Sequence, residues 1–126
     1  MKATLFFRIT ISIHVLLLFM QPVFVGLFLS GNDVSKLKAH EIEGNVVGLT
    51  ALVLLAAAIV AWRKAGWPLA VVGACVGLVI AEIVQLMMGY DRHLGIHVPL
   101  GVGLAVGVSL LHQWAFRQRS QPALQN

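Results

Sequence analysis

The chain has 126 residues, 59% of them hydrophobic and only 11% charged, against about 25% charged in an ordinary soluble domain. The charges fall in short clusters between long uncharged runs, which excludes a soluble enzyme, a nucleic-acid-binding module and a second domain of useful size. A net charge of +4 and a pI near 9.9 then reflect membrane topology rather than a nucleic-acid partner.

The first uncharged run covers 24 residues, Ile9 to Asn32. Lys2 and Arg8 precede it, as in a signal peptide. The run is too long for a signal-peptide core and no A-x-A site follows, so the pattern predicts a retained span at about 5–29. Ser30-Gly31-Asn32-Asp33-Val34-Ser35 is rich in turn formers and reads as the first loop. The run from Gly44 to Trp62, 19 residues, predicts a second span at about 39–62. Arg63-Lys64-Ala65-Gly66 closes it, and Pro68 stands where proline is tolerated at a helix start. The 17 residues from Ala65 to Ala81 open a third span at about 67–89, and the 24 from His93 to Phe116 a fourth at about 94–116. The tail at about 118–126 is polar and is expected to fray.

The fold class is therefore an all-α membrane protein, one domain over 1–126: an antiparallel up-down bundle of four transmembrane helices. Short connections make sequential helices neighbours and put helices 2 and 4 on a diagonal. Six basic residues (Lys2, Arg8, Arg63, Lys64, Arg117, Arg119) fall on one face of the membrane and three (Lys36, Lys38, Arg92) on the other. The positive-inside rule places both termini in the cytoplasm. Trp62, Trp67 and Trp114 fall at that inner interface, as an aromatic belt would. Asp33, Glu41, Glu43 and Asp91 fall at the outer face. The single cysteine, Cys75, allows no intrachain disulfide and reads as a small buried hydrophobe.

Polar groups inside a membrane are costly and usually face the bundle interior. Here they are His14, Gln21, Glu82, Gln85 and His97, with His40 and His93 at the outer boundary and His112 toward the inner side. Counting about 1.5 Å per residue down from each helix end, His40, Gln85 and His97 form an outer layer. Gln21 and Glu82 share a deeper level, about 10–12 Å down, and are expected to hydrogen-bond across helices 1 and 3. His40 and His97 each have a glycine four residues on, Gly44 and Gly101. A residue at i+4 lies on the same helix face, so each glycine leaves a recess beneath an imidazole. Two histidines over matching recesses on diagonal helices suit a b-type haem held between helices 2 and 4. The same glycines also suit close helix packing, and a histidine at a helix end also suits the membrane interface. Lys36, Lys38 and Arg92 lie at the same face and are available to propionates or to solvent. A second haem would need His14 and His112, whose levels differ by about 6 Å on adjacent helices, and whether they form a second site stays open.

Other readings stay open. His93 and His97, four apart, with His40, Glu41 and Glu43 at the same level, are an alternative divalent-metal site. A cofactor-free accessory protein would use the polar layer as interhelical glue. A small multidrug-type transporter, working as a dimer, would have Glu82 as its only proton carrier. No nucleophile constellation, phosphate loop or nucleotide motif is present, and Gly101-Val-Gly103 lies inside a span. Whether the protein is an enzyme stays open, since any such chemistry would come from a cofactor.

The set Gln21-Pro22-Val-Phe-Val-Gly26-Leu-Phe-Leu-Ser-Gly31, His40-Glu41, Gln85 and His97-Val-Pro-Leu-Gly101 resembles a family of small bacterial four-span membrane proteins, over about residues 15 to 116. The resemblance implies this fold, a bacterial cytoplasmic-membrane location and importance for these polar positions. It implies no reaction. More distantly, the chain is similar to one four-helix half of haem A synthase and to four-helix membrane cytochromes b. In the haem A synthase half, histidines on helices 2 and 4 face one haem, and His40 and His97 match those positions. That family carries a carboxylate ahead of its first histidine, whereas Glu41 and Glu43 follow His40 here. One half alone implies a homodimer or a membrane redox partner beside the lipid bilayer.

Overall fold

In a computed structural model the chain is described from residue 1 to residue 118. Arg119 and the rest of the polar tail lie outside the described residues. Four helices follow one another: α1 (Lys2–Gly31), α2 (Val34–Ala65), α3 (Leu69–Tyr90) and α4 (Leu94–Arg117). Each is long and apolar enough to cross a membrane. The protein is an all-α, four-helix integral membrane bundle. Packing runs around a ring, α1 on α2, α2 on α3, α3 on α4 and α4 back on α1, so α1–α3 and α2–α4 are the diagonals.

The first two helices are longer than their uncharged runs. Only Asn32 and Asp33 separate them. Asn32 takes a left-handed conformation (φ 52°) and its N–H bonds Phe28 O, ending α1. The Asp33 side chain accepts the Ser35 N–H, the usual N-cap bond. α2 therefore starts at Val34, and Lys36 and Lys38 ride on its first turns instead of in a loop. They pair with Asp33 (3.9 Å) and Glu41 (2.9 Å). At the other end of α2, Gly66 supplies the left-handed cap (φ 68°) that a side chain would strain.

The core is a narrow seam, not a wide apolar face. Thr4, Phe7, Ile11, His14 and Leu18 are buried on α1, and Val47, Ala51, Leu54, Ala58 and Ala61 on α2. Both sets step by alternating threes and fours, the spacing of knobs-into-holes packing. Val71, Cys75, Leu78 and Glu82 do the same on α3. Alanines on α2 let the backbones approach closely, which is how membrane helices associate when lipid removes the hydrophobic drive. Large side chains such as Leu16, Leu49, Ile80 and Val102 point outward, as a lipid solvent requires.

The ends of the helices are not level. Asn45 Nδ2 donates to the Tyr90 hydroxyl at 2.8 Å. Tyr90 ends α3, while Asn45 is eleven residues into α2 (34 to 45). The α1–α2 hairpin therefore stands about 16 Å, at 1.5 Å per residue, beyond the end of α3. We call this the loop end, and the opposite one, with Met1, the α2–α3 connection and Arg117, the terminal end.

At the terminal end, Trp67 packs edge-on against Phe7 (5.0 Å) and Trp114 (5.3 Å). Trp67 is 6% exposed, so it belongs to the core rather than to an interfacial belt. Trp62 does lie outside, beneath the Arg63 guanidinium. Arg8 on α1 reaches the last turn of α4. Its Nε donates to Ala115 O at 3.0 Å and its Nη2 to Gln118 O at 2.6 Å, with the guanidinium over the Phe116 ring. A cation on the terminal carbonyls of a helix meets groups that have no intrahelical donor and the negative end of the dipole.

Candidate functional site

The seam spacing, continued toward the loop end, runs through Gln21, Glu43, His40, Gln85 and His97. On α1 the step from Leu18 reaches Gln21. On α2, steps back from Val47 reach Glu43 and His40. On α3, Glu82 leads to Gln85 and Gly89. On α4, His97 and Gly101 precede Leu104. Two polar layers result, at different distances from the loop end.

The upper layer holds the two histidines of the α2–α4 diagonal. The rings of His40 and His97 face each other with centroids 6.1 Å apart and planes at 86°. His97 Nδ1 lies 2.9 Å from the backbone oxygen of Gln85. A carbonyl can only accept, so Nδ1 carries the hydrogen and Nε2 keeps its lone pair. This is the arrangement in which a neighbouring carbonyl orients a ligating imidazole. Gly89 lets the ring lie that close to α3, since a Cβ there would stand 2.9 Å from His97 Cε1. His40 makes no side-chain hydrogen bond, and its Nδ1 is buried without a partner.

The two recesses exist, and side-chain ends fill them. A Cβ at Gly101 would stand 2.8 Å from the amide nitrogen of Gln85. One at Gly44 would stand 3.5 Å from the Gln21 amide nitrogen and 3.5 Å from Leu86 Cδ2. Any group placed between the two rings would need the ends of Gln21, Gln85 and Leu86 to swing aside, and these are flexible side chains rather than backbone.

The lower layer is arranged differently from the sequence expectation. Gln21 does not meet Glu82. Its amide donates to the Glu43 carboxylate and, at 3.3 Å, to His40 O, both on the adjacent helix α2. Glu82 instead faces His14 across the α1–α3 diagonal, His14 Nε2 to Glu82 Oε1 3.7 Å. Levels counted from each helix's own end fail here because α1 stands so far beyond α3. His14 is fully buried and Glu82 is 3% exposed. Thr50 completes the layer, its Oγ1 2.8 Å from His14 Nδ1. Thr50 in this layer and Glu43 above it, beside Gln21, are the residues that the charge map hid. Glu43 reads as an outer-face acid until the seam is extended to it, and Thr50 carries no signal beyond polarity inside a span.

The remaining candidates fall elsewhere. His93 is exposed and supplies the backbone start of α4, its carbonyl accepting from Ile96 and His97. Among the described residues no three His, Cys, Asp or Glu come together as a metal site, so the divalent alternative on His93, His97, His40, Glu41 and Glu43 is not assembled. His112 bonds Ser12 Oγ at 3.0 Å through Nε2 and lies on the Phe116 ring, a contact within the terminal end. His14 and His112 thus have separate partners. Cys75 is buried, as expected.

No family model, curated protein or solved structure matches the chain.

Proposed function

We propose that the chain is an integral membrane b-type haem protein, with one haem held between His40 on α2 and His97 on α4 near the loop end. The observation that carries this reading is the pair itself: two imidazoles meeting across a diagonal at 6.1 Å, one with its Nδ1 hydrogen committed to Gln85 O. The distant resemblance to the haem A synthase half supports the same two positions. Haem bound through two imidazoles supplies one-electron transfer, since no iron position is left open to a substrate. This chain's residues would do the rest. Gln85 O fixes the tautomer and plane of His97. Gly44 and Gly101 keep the space under each imidazole free of backbone-anchored bulk. Lys36 and Lys38 are already paired with Asp33 and Glu41, which leaves Arg92 as the better candidate for a propionate. A single site near one end does not carry electrons across the bilayer, so the role is redox sensing or exchange with a membrane partner or a second copy. On the positive-inside rule the loop end faces away from the cytoplasm.

The test is a pair of visible spectra, oxidised and dithionite-reduced, on detergent-purified protein, with haem quantified per chain. A Soret band with sharp reduced α and β bands near one haem per chain, lost in both His40→Ala and His97→Ala, supports the reading. Folded protein that stays colourless with added haemin overturns it. That result favours a cofactor-free bundle, which has its own supporting observation: Gln21 donates to Glu43 Oε2 and to His40 O within the upper half of the bundle.

A further inference from the structure

His14, Thr50 and Glu82 form a buried cluster that the haem reading does not use. The Thr50 hydroxyl donates to Val47 O at 2.8 Å. Its one hydrogen is thereby committed, so toward His14 Nδ1, 2.8 Å away, the oxygen can only accept. Nδ1 therefore carries a hydrogen, and in the neutral ring Nε2 is a bare acceptor. It faces Glu82 Oε1 at 3.7 Å, and neither atom has any other partner. An ionised carboxylate set against a lone pair inside a membrane would be a desolvated charge without a counter-charge. One proton between the two removes the conflict. It makes either a neutral carboxylic acid beside the bare Nε2 or an imidazolium paired with a carboxylate at ion-pair distance, and both have zero net charge.

We propose that the His14–Glu82 pair is a proton-binding site in the membrane interior, holding one proton beyond the Nδ1 hydrogen and exchanging it with the loop end. The step is His14·Glu82⁻ plus H⁺ giving the neutral pair; no bond other than the N–H or O–H forms. Glu43 is the carboxylate placed to pass the proton. It lies seven residues (50 to 43), about 10 Å, nearer the loop end than Thr50, and its Oε1 is buried without a hydrogen-bond partner among the described residues. Of the other titratable or charged groups on the packed elements, His40 on α2, Cys75 on α3 and His97 on α4 lie within the bundle, Lys36, Lys38, Glu41 and Tyr90 lie toward the loop end, and Lys2, Arg63, Lys64 and Arg117 lie toward the terminal end. Arg8 on α1 and His112 on α4 lie at the terminal end. The pair titrates as a unit, so its proton belongs to neither residue alone.

The test uses the full chain in lipid vesicles, with or without haem, since the pair does not touch the proposed iron ligands. Nitrogen NMR of labelled histidine reads the His14 ring, and infrared difference spectra in H2O and D2O read the protonated carboxyl band of Glu82. The expected result at neutral pH is one proton on the pair, seen as an imidazolium or as a carboxylic acid band that shifts in D2O, and lost at alkaline pH. Glu82→Gln, close in shape and able to donate to Nε2, should abolish the band or convert His14 to the neutral Nδ1–H ring. Glu43→Gln should keep the proton and slow its exchange. A neutral His14 beside an ionised Glu82 at neutral pH overturns the proposal, and so does a protonation state of His14 that Glu82→Gln leaves unchanged.

Discussion

The side-chain amide of Asn45, in the second quarter of α2, donates to the hydroxyl of Tyr90, the last residue of α3. That bond spans the same stagger that sets His14 opposite Glu82. Tyr90→Phe removes it at an exposed site, so the expected loss is about 0.5–1 kcal/mol, at the low end for a hydrogen bond. Unfolding in mixed micelles would read it. An unchanged midpoint, with His14 and Glu82 still coupled, would show that seam packing alone sets the stagger.

The recesses make opposite predictions for two neighbouring positions. If haem binds as proposed, Gln85→Ala keeps the backbone oxygen that orients His97 and clears the space over Gly101, so haem content per chain should hold or rise. Gly101→Leu anchors bulk in the same space and should abolish it. Loss of haem in Gln85→Ala would mean that the amide holds the cofactor rather than makes way for it.

Arg8 spans from the first helix to the last. Arg8→Leu should cost about 1–2 kcal/mol, a charge-assisted pair of bonds discounted for partial exposure. Arg8→Lys should recover part of that, because an ammonium reaches one carbonyl but lacks the planar fork. Equal loss in both variants would point to the Phe116 contact instead.

Packing at the α1–α2 seam leaves little room. Ala58 is fully buried, and Ala58→Leu should destabilise by about 1–3 kcal/mol through overpacking. Leu49→Ala, on the lipid side at 61% exposure, should change stability by no more than about 0.5 kcal/mol. The contrast is measurable by unfolding the two variants under one set of micelle conditions.

The start of α2 should respond to acid. Hydrogen bonds from Ser35 hold the Asp33 carboxyl below its ordinary value. A group whose folded value is depressed contributes above its unfolded value and loses that contribution as pH falls through the folded one. Amide exchange at Ser35 should therefore quicken below the usual aspartate range. Asp33→Asn keeps an acceptor at the cap and should flatten the pH dependence.

The four spans, their antiparallel order and the α2–α4 diagonal could be read from charge spacing, because lipid tolerates so few other arrangements. His40 and His97 could be paired for the same reason. The partners of Gln21 and Glu82 could not. Depth along a helix is readable only relative to that helix's own end, and nothing in the uncharged runs says how far α1 rises past α3. The inward phase was readable. Glu43 sits four residues before Val47 on the same seam, and the charge map alone set it among the outer-face acids. The role of Trp67 was hidden for a different reason, since a tryptophan at a helix start looks the same whether it faces lipid or Phe7.

The Arg8 clasp also bears on the order of assembly. α1 is synthesised before α4, and α4 must lie beside α1 to close the ring. Until the segment around Ala115 and Gln118 emerges, the Arg8 guanidinium has neither of its two carbonyls and must rest among water and lipid phosphates. The last turn of α4 therefore acts as a latch: the hairpin of α1 and α2 can insert early, but α1 finds its last partners only once α4 has followed it into the membrane.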